Sequence, residues 1–289
     1  MQATIFTQVI LPAVLAFIMF GMGLSLGKED FTRLVKMPRP VIVGLFGQLI
    51  LLPLFAFSIA VAFNAPPEIA VGLMILAACP GGTTSNLISH VAKANLALSV
   101  SLTGVTTIIC VITTPLLIQY SIGMFSESAL ESFSLLNTSL GLLVISIIPV
   151  LLGMLVRSNF SKAARRAEPM FRVLSTVFML LLIAIISYQE RDMMMEAFPS
   201  VFLFVIGLNV GATVLGVALA ALAKLDGRDG VTLGIEIGTQ NATLAILIAV
   251  SFVGQPAYAV AAGVYGVVMY GGAFALVMLK RHHLGENKL

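Results

Sequence analysis

Tryptophan is absent from this chain, and only 10% of its 289 residues are charged. Soluble domains carry about 25% charged residues. A chain this poor in charge, 59% hydrophobic and with a mean hydropathy of +1.06, reads as an all-α polytopic membrane protein. Without Trp, anchoring at the membrane–water boundary falls to Tyr, Lys and Arg. Cysteine is scarce as well. Cys79 and Cys110 both lie in apolar runs, where a thiol is an inert small apolar residue rather than half of a disulfide or metal pair. No basic segment precedes the first apolar run, so no cleaved signal peptide is expected. The net charge of +3 implies no nucleic-acid partner, because the basic residues gather in loops on one side.

What the chain does have is a series of apolar runs of the roughly 20 residues that cross a bilayer. They fall at 4–26, 40–63, 68–92, 95–121, 134–156, 169–188, 198–223, 230–253 and 256–279. Nine crossings follow, joined by short connections with no soluble domain, so residues 1–289 are expected to form one transmembrane unit. Lys28, Arg33, Lys36, Arg39, Lys93, Arg157, Lys162, Arg165, Arg166, Arg172, Lys224, Arg228, Lys280, Arg281 and Lys288 fall on one face of this arrangement. The alternate connections hold one basic residue, Arg191, beside Glu68, Glu127, Glu131, Glu190, Asp192 and Glu196. Basic loops stay in the cytoplasm. The expected topology in the cell (inner or plasma) membrane therefore has the N-terminus outside and the C-terminus inside.

Two stretches break the apolar pattern. The first is Cys79-Pro80-Gly81-Gly82-Thr83-Thr84-Ser85-Asn86, halfway along the third run. In a helix interior Gly costs about 1 kcal/mol relative to Ala and Pro about 3 kcal/mol, with a donor lost. A helix that breaks at membrane depth is expected, and backbone freed there needs protein or a water-filled cavity around it. The second stretch is Gly234-Ile235-Glu236-Ile237-Gly238-Thr239-Gln240-Asn241-Ala242-Thr243. Of thirteen acidic residues, Glu236 alone lies within a span, and no Lys or Arg is at comparable depth. An ionised carboxylate there is expensive. Glu236 must be protonated, face water or hold a cation; the plainer role is a protonated side chain joining helices.

Gly82-Thr83-Thr84-Ser85-Asn86 in the third span has a partial echo in Gly238-Thr239-Gln240-Asn241 in the eighth. Spans five apart cross in opposite directions, the arrangement of inverted repeats in secondary transporters with midplane sites on broken helices. At each break one half-helix ends in unpaired carbonyls and the next begins with unpaired N–H groups. Carbonyls, hydroxyls and amide oxygens beside one carboxylate suit an alkali cation, and the N–H ends suit an organic anion. The absence of a second carboxylate disfavours a calcium or magnesium cage. Sodium together with an organic anion is the expected pair.

Other polar residues in the spans are ambiguous alone. Gln48, five residues before Pro53, is as readily a helix–helix hydrogen bond as a ligand. Ser99 and Thr103 share one helix face and commonly bond back to their own helix. Asn209 and Tyr188 read as structural or interfacial, and Met193-Met194-Met195 as a loop or re-entrant edge.

Cys79 to Asn86, followed by Asn95-Leu96-Ala97-Leu98-Ser99 and Thr103, resembles the fourth and fifth helices of bacterial members of the bile acid:sodium symporter family. Phe20-Gly21-Met22-Gly23-Leu24-Ser25-Leu26 with Asp30-Phe31 resembles the family's second helix, and Glu236 to Asn241 its ninth. The likeness runs in register through nearly the whole chain. It implies the nine-helix form of the family, with a panel of helices 4–26, 134–156 and 169–188 against a core of 40–63, 68–92, 95–121, 198–223, 230–253 and 256–279. The core would hold two crossed broken helices. One sodium site would use Ser85, Asn86, Ser99, Thr103 and Glu236. The other would use Gln48, Glu236, Gln240 and the carbonyls of Ile237 and Thr239. Thr83 and Asn241 would contact the anion. Some bacterial members carry Trp-His-Asn near the substrate cavity, where this chain reads Val267-Val268-Met269-Tyr270-Gly271-Gly272. Part of the substrate wall therefore differs.

The expected function is a sodium-coupled symporter importing an organic anion, a small monocarboxylate or a bile-acid-like molecule, by alternating access. Na⁺ would be the co-transported ion and a single chain the working unit. The alternative is proton coupling through Glu236. A receptor that binds an anion without moving it is a further class. An intramembrane enzyme is not expected: an aspartyl protease needs two carboxylates at depth, and a Ser–His pair has only His90 to draw on.

Overall fold

The computed structural model describes residues 9–126, 133–189 and 191–286. Among these residues there is no strand, only helices and one isolated bridge. Glu127, Glu131, Glu190, Lys288 and the first five residues of the span at 4–26 lie outside the described residues. The helices are α1 Leu11–Ser25, α2 Lys28–Lys36, α3 Pro38–Ala62, α4 Pro67–Ala78, α5 Thr83–Val91 and α6 Leu96–Phe125. They continue as α7 Leu135–Asn159, α8 Ser161–Gln189, α9 Arg191–Leu222, α10 Gly227–Gly238, α11 Ala242–Phe252 and α12 Ala259–Glu286. Six of them (α3, α6, α7, α8, α9 and α12) contain stretches long and apolar enough to cross a membrane, and α1, α4 and α11 are shorter apolar helices.

Proline shapes the long helices from within. A ring in a helix interior clashes with the carbonyl four residues back. In α3 the turn before Pro53 widens to a π-turn at Gly47–Leu51, and in α7 the turn before Pro149 does so at Leu143–Ile147. The first of these widened turns contains Gln48, which is buried.

Several helices run past their apolar limits. Only Phe160 separates α7 from α8, so Arg157, Lys162, Arg165 and Arg166 sit on helix rather than in a loop. The Met193-Met194-Met195 run lies inside α9, which corrects its reading as a loop. Lys, Arg, Glu and Met are good helix formers, and hydropathy marks where hydrocarbon ends, not where the helix does.

α1 packs on α7 and α8; α7 packs in turn on α6, and α8 on α12. Glycines set the closest approaches, as small residues do where helices meet in a membrane. A Cβ on Gly23 would stand 2.2 Å from the Val150 carbonyl oxygen, and one on Gly153 would stand 2.3 Å from that of Phe20. Gly153→Leu is therefore expected to force α1 and α7 apart and cost about 1–3 kcal/mol or more. Thermal unfolding in detergent reads this out. Gly271→Ala, whose Cβ meets nothing within 4 Å, should leave the melting temperature unchanged.

The breaks meet at the centre. The segment after α4 and the segment after α10 lie antiparallel, with a bridge between Gly81 and Gln240. The Asn241 N–H donates to the Pro80 carbonyl at 3.0 Å. Extended backbone inside an apolar protein must pair with something; here each break is in part the other's partner.

Candidate functional site

Four half-helix ends converge on this bridge. α4 ends at Ala78 and α5 starts at Thr83; α10 ends at Gly238 and α11 starts at Ala242, with Asn241 as its cap. The Asn241 side-chain oxygen accepts from the Leu244 N–H at 3.0 Å, so part of this side chain is committed to its own helix.

Glu236 is 1% exposed, two residues before the end of α10. Its carboxylate accepts from the Ser99 hydroxyl at 2.7 Å and from the Thr103 hydroxyl. The Ser99 hydroxyl also lies 2.8 Å from the Asn86 side-chain oxygen, and Thr103 is 3.4 Å from that same oxygen. Ser85 turns its hydroxyl back to the Gly82 carbonyl at 2.7 Å. Against the carboxylate sits Gly81, where a Cβ would come within 2.6 Å of a Glu236 oxygen. Among the described residues no ion pair reaches Glu236; Arg33–Asp30 and Arg172–Glu168 lie elsewhere. α5, α6 and α10 thus gather Ser99, Thr103, Asn86 and Glu236 into one cluster, with Ser85 at its edge.

A second cluster lies across the bridge. Gln48 Nε2 donates to Gln240 Oε1 at 2.7 Å and to the Cys79 carbonyl at 3.3 Å. Gln240 Nε2 donates to the Ile237 carbonyl at 2.8 Å and faces Gln48 Oε1 at 3.5 Å. The Thr239 hydroxyl, fully buried, has no hydrogen-bond partner. Gln48, Gln240 and Ile237 are therefore brought together, whereas the hydrogen bonds of Glu236 run to Ser99 and Thr103 rather than to this amide pair.

Thr83 and Asn241 share one pocket with Tyr270, Met269, Ser175 and Met22. Its volume is about 20 Å³, and a single water needs about 10–15 Å³ measured in this way. Thr83 also lines a wider cavity of about 310 Å³ with Asn86, His90, Arg157, Glu168 and Arg172. The Arg172–Glu168 pair stands between the two, because both residues also line the narrow space beside Ser175 and Met22.

Three further residues support the breaks and stand out less in the sequence. Asn209 Nδ2 and the Tyr265 hydroxyl both donate to the Gly238 carbonyl, at 2.8 and 2.9 Å. Thr114 donates to the Ala78 carbonyl at 2.5 Å. These are the last carbonyls of the first half-helices, which the breaks leave without an intrahelical donor. A polar residue mid-way along an apolar run is the signal that marks all three.

The model of the Sodium Bile acid symporter family matches residues 12–197. An uncharacterized sodium-dependent transporter of Bacillus subtilis (strain 168) is 34% identical over 258 residues, covering 88% of this chain and 77% of that protein. The human ileal sodium/bile acid cotransporter is 30% identical over 239 residues, 81% of this chain and 67% of its own. A probable chloroplastic sodium/metabolite cotransporter of Arabidopsis thaliana is 29% identical over 253 residues, and the match spans 62% of its length.

Proposed function

This chain belongs to the Sodium Bile acid symporter family, and on that premise we propose that it is a sodium-coupled symporter importing an organic anion by alternating access. The observation that carries the proposal is the Glu236 cluster. One buried carboxylate lies among hydroxyl and amide oxygens, beside two crossed helix breaks, with no side-chain cation among the described residues paired to it. Such an oxygen-rich group calls for a mobile cation. Sodium-dependent transport in the relatives' names points to Na⁺.

In this reading one ion binds among Ser85, Asn86, Ser99, Thr103 and Glu236. A second binds among Gln48, Gln240, Glu236 and the carbonyls of Ile237 and Thr239, where the unpartnered Thr239 hydroxyl adds a free oxygen. Two cations against one carboxylate leave net positive charge beside the N-terminal ends of α5 and α11, which draws the anion to Thr83 and Asn241. The chain crosses the cell membrane nine times, α4–α5 and α10–α11 each counting as one broken crossing, with the N-terminus outside and the C-terminus in the cytoplasm.

The pocket at Thr83 and Asn241 has room for about one water. An organic anion can enter only if α1 and α8, which supply Met22 and Ser175, move away from α5, α11 and α12. That motion is a panel of α1, α7 and α8 sliding on a core of the remaining crossings. The wider space beside the pocket is reached through His90, Arg157 and Arg172; in this reading it is a cytoplasmic vestibule, where Arg157, unlike the Glu168-paired Arg172, keeps its charge for an anion.

A thermal-shift comparison of pyruvate, pantoate and taurocholate in sodium chloride and in choline chloride tests the coupling. A ligand at about 100 times its Kd stabilises by about 2.7 kcal/mol, and here that shift should appear only in sodium. Equal stabilisation in choline would sink sodium coupling.

A further inference from the structure

A cleft of about 690 Å³, wider than the spaces at the breaks, lies between the end of α1, the start of α2, the end of α7 and the first turn of α8. Its apolar wall includes Leu151 and Leu155, which are 53% and 57% exposed and face outward from the helix group. Its rim carries Lys28, Arg157 and Arg165 against one carboxylate, Glu29. The ion pairs among the described residues use none of these three cations. Arg157 Nη1 donates to the Leu24 carbonyl at 2.8 Å, which fixes the guanidinium at the junction of α1 and α2 without neutralising it. Leu151 and Arg157 are six residues apart on one helix, about 9 Å at 1.5 Å per residue. The cleft therefore runs from a charged rim into an apolar zone at the depth where a phospholipid's phosphate gives way to its acyl chains.

We infer that this cleft binds an anionic glycerophospholipid of the cytoplasmic leaflet, with the phosphate among Lys28, Arg157 and Arg165 and an acyl chain along Leu151 and Leu155. Charge complementarity selects this occupant. A zwitterionic lipid brings its own cation to a rim that already has three, and a soluble anion makes no use of the outward apolar wall. Basic pockets between membrane helices on the cytoplasmic side are suited to acidic headgroups. Lys28 and Arg165 do not line the vestibule at Thr83, whereas Arg157 lines both spaces. The lipid thus touches the transport path through one residue and can be tested through the other two. The inference uses the orientation proposed above but not the transport activity, and lipid retention is read independently of sodium and substrate.

The test is native mass spectrometry of the delipidated full chain mixed with phosphatidylglycerol or phosphatidylcholine. The wild-type protein should retain one phosphatidylglycerol and discriminate against phosphatidylcholine. K28Q/R165Q should retain about thirtyfold less, the equivalent of ~1 kcal/mol for each of two basic residues near the membrane surface. K28R/R165K, which keeps the charge, should restore retention. Circular dichroism and the melting temperature in phosphatidylcholine should match the wild type for both variants, since Lys28 and Arg165 are exposed. Equal retention of the two lipids, or undiminished retention by K28Q/R165Q, overturns the inference. So does displacement of phosphatidylglycerol by free glycerol phosphate or taurocholate at comparable concentration, which assigns the cleft to a soluble anion.

Discussion

Glu236→Gln abolishes sodium-dependent uptake in reconstituted vesicles while the protein still folds and inserts. The amide is nearly isosteric with the carboxylate; its oxygen accepts from one of the Ser99 and Thr103 hydroxyls, which reach different carboxylate oxygens, and its NH₂ donates to the oxygen of the other, so the helix contacts survive. What disappears is the carboxylate charge around which the Ser99, Thr103 and Asn86 oxygens gather. At an effective dielectric constant of about 20, a cation about 3 Å from a carboxylate gains ~5 kcal/mol, and at about 1.4 kcal/mol per tenfold its loss weakens cation affinity more than a thousandfold. Both proposed ions border this one group, so neither should remain bound at ordinary sodium concentrations. Binding isotherms for Na⁺ on the purified variant and vesicle uptake read the same loss independently. Uptake in Glu236→Gln that still rises with sodium as in the wild type removes Glu236 from both sites.

The outline of this region was legible because the bilayer makes certain residues conspicuous. Pro80-Gly81-Gly82 stands out since helix is the default in lipid, and Glu236 stands out since a lone charge there needs a reason. The structure adds what spacing does not encode. Nothing in the order of residues says that Gly81 and Gln240 pair across the two breaks, because that contact joins positions far apart in the chain.

Polar residues inside spans also look alike in sequence whichever partner they take. Asn209 ends on the Gly238 carbonyl and Gln48 on another glutamine, yet each reads simply as an amide in an apolar run. Thr103 shows why the two local readings of a membrane threonine need not compete. Its hydroxyl lies 3.0 Å from the Ser99 carbonyl of its own helix and also reaches Glu236. The helix ends were the least legible feature, because α8 and α9 continue through charged residues that a hydropathy window assigns to loops.

Gln240→Ala has a different expected outcome from Glu236→Gln. It should convert a sigmoidal dependence of uptake on sodium into a hyperbolic one without abolishing transport. Gln240 belongs to the amide pair with Gln48, and none of the hydrogen bonds that hold the Glu236 cluster passes through it. Three neutral oxygens, those of Gln48, Gln240 and the Ile237 carbonyl, meet in this pair and are occupied by its own N–H groups. A cation can take those oxygens only if the amides turn their donors away, so the site is made by rearrangement and depends on both side chains. Truncating Gln240 removes one oxygen and leaves the buried Ile237 carbonyl without its donor, a loss of about 1–3 kcal/mol that should lower the melting temperature in choline chloride. The fold penalty and the ion effect separate by salt. A variant damaged only in stability keeps the sigmoidal curve with a reduced maximum, whereas loss of one of two coupled sites changes its shape. Gln48→Ala should reproduce that change of shape. If both variants keep the wild-type sigmoid and sodium affinity, the amide pair is a structural clasp on the Cys79 and Ile237 carbonyls, and the second ion binds elsewhere.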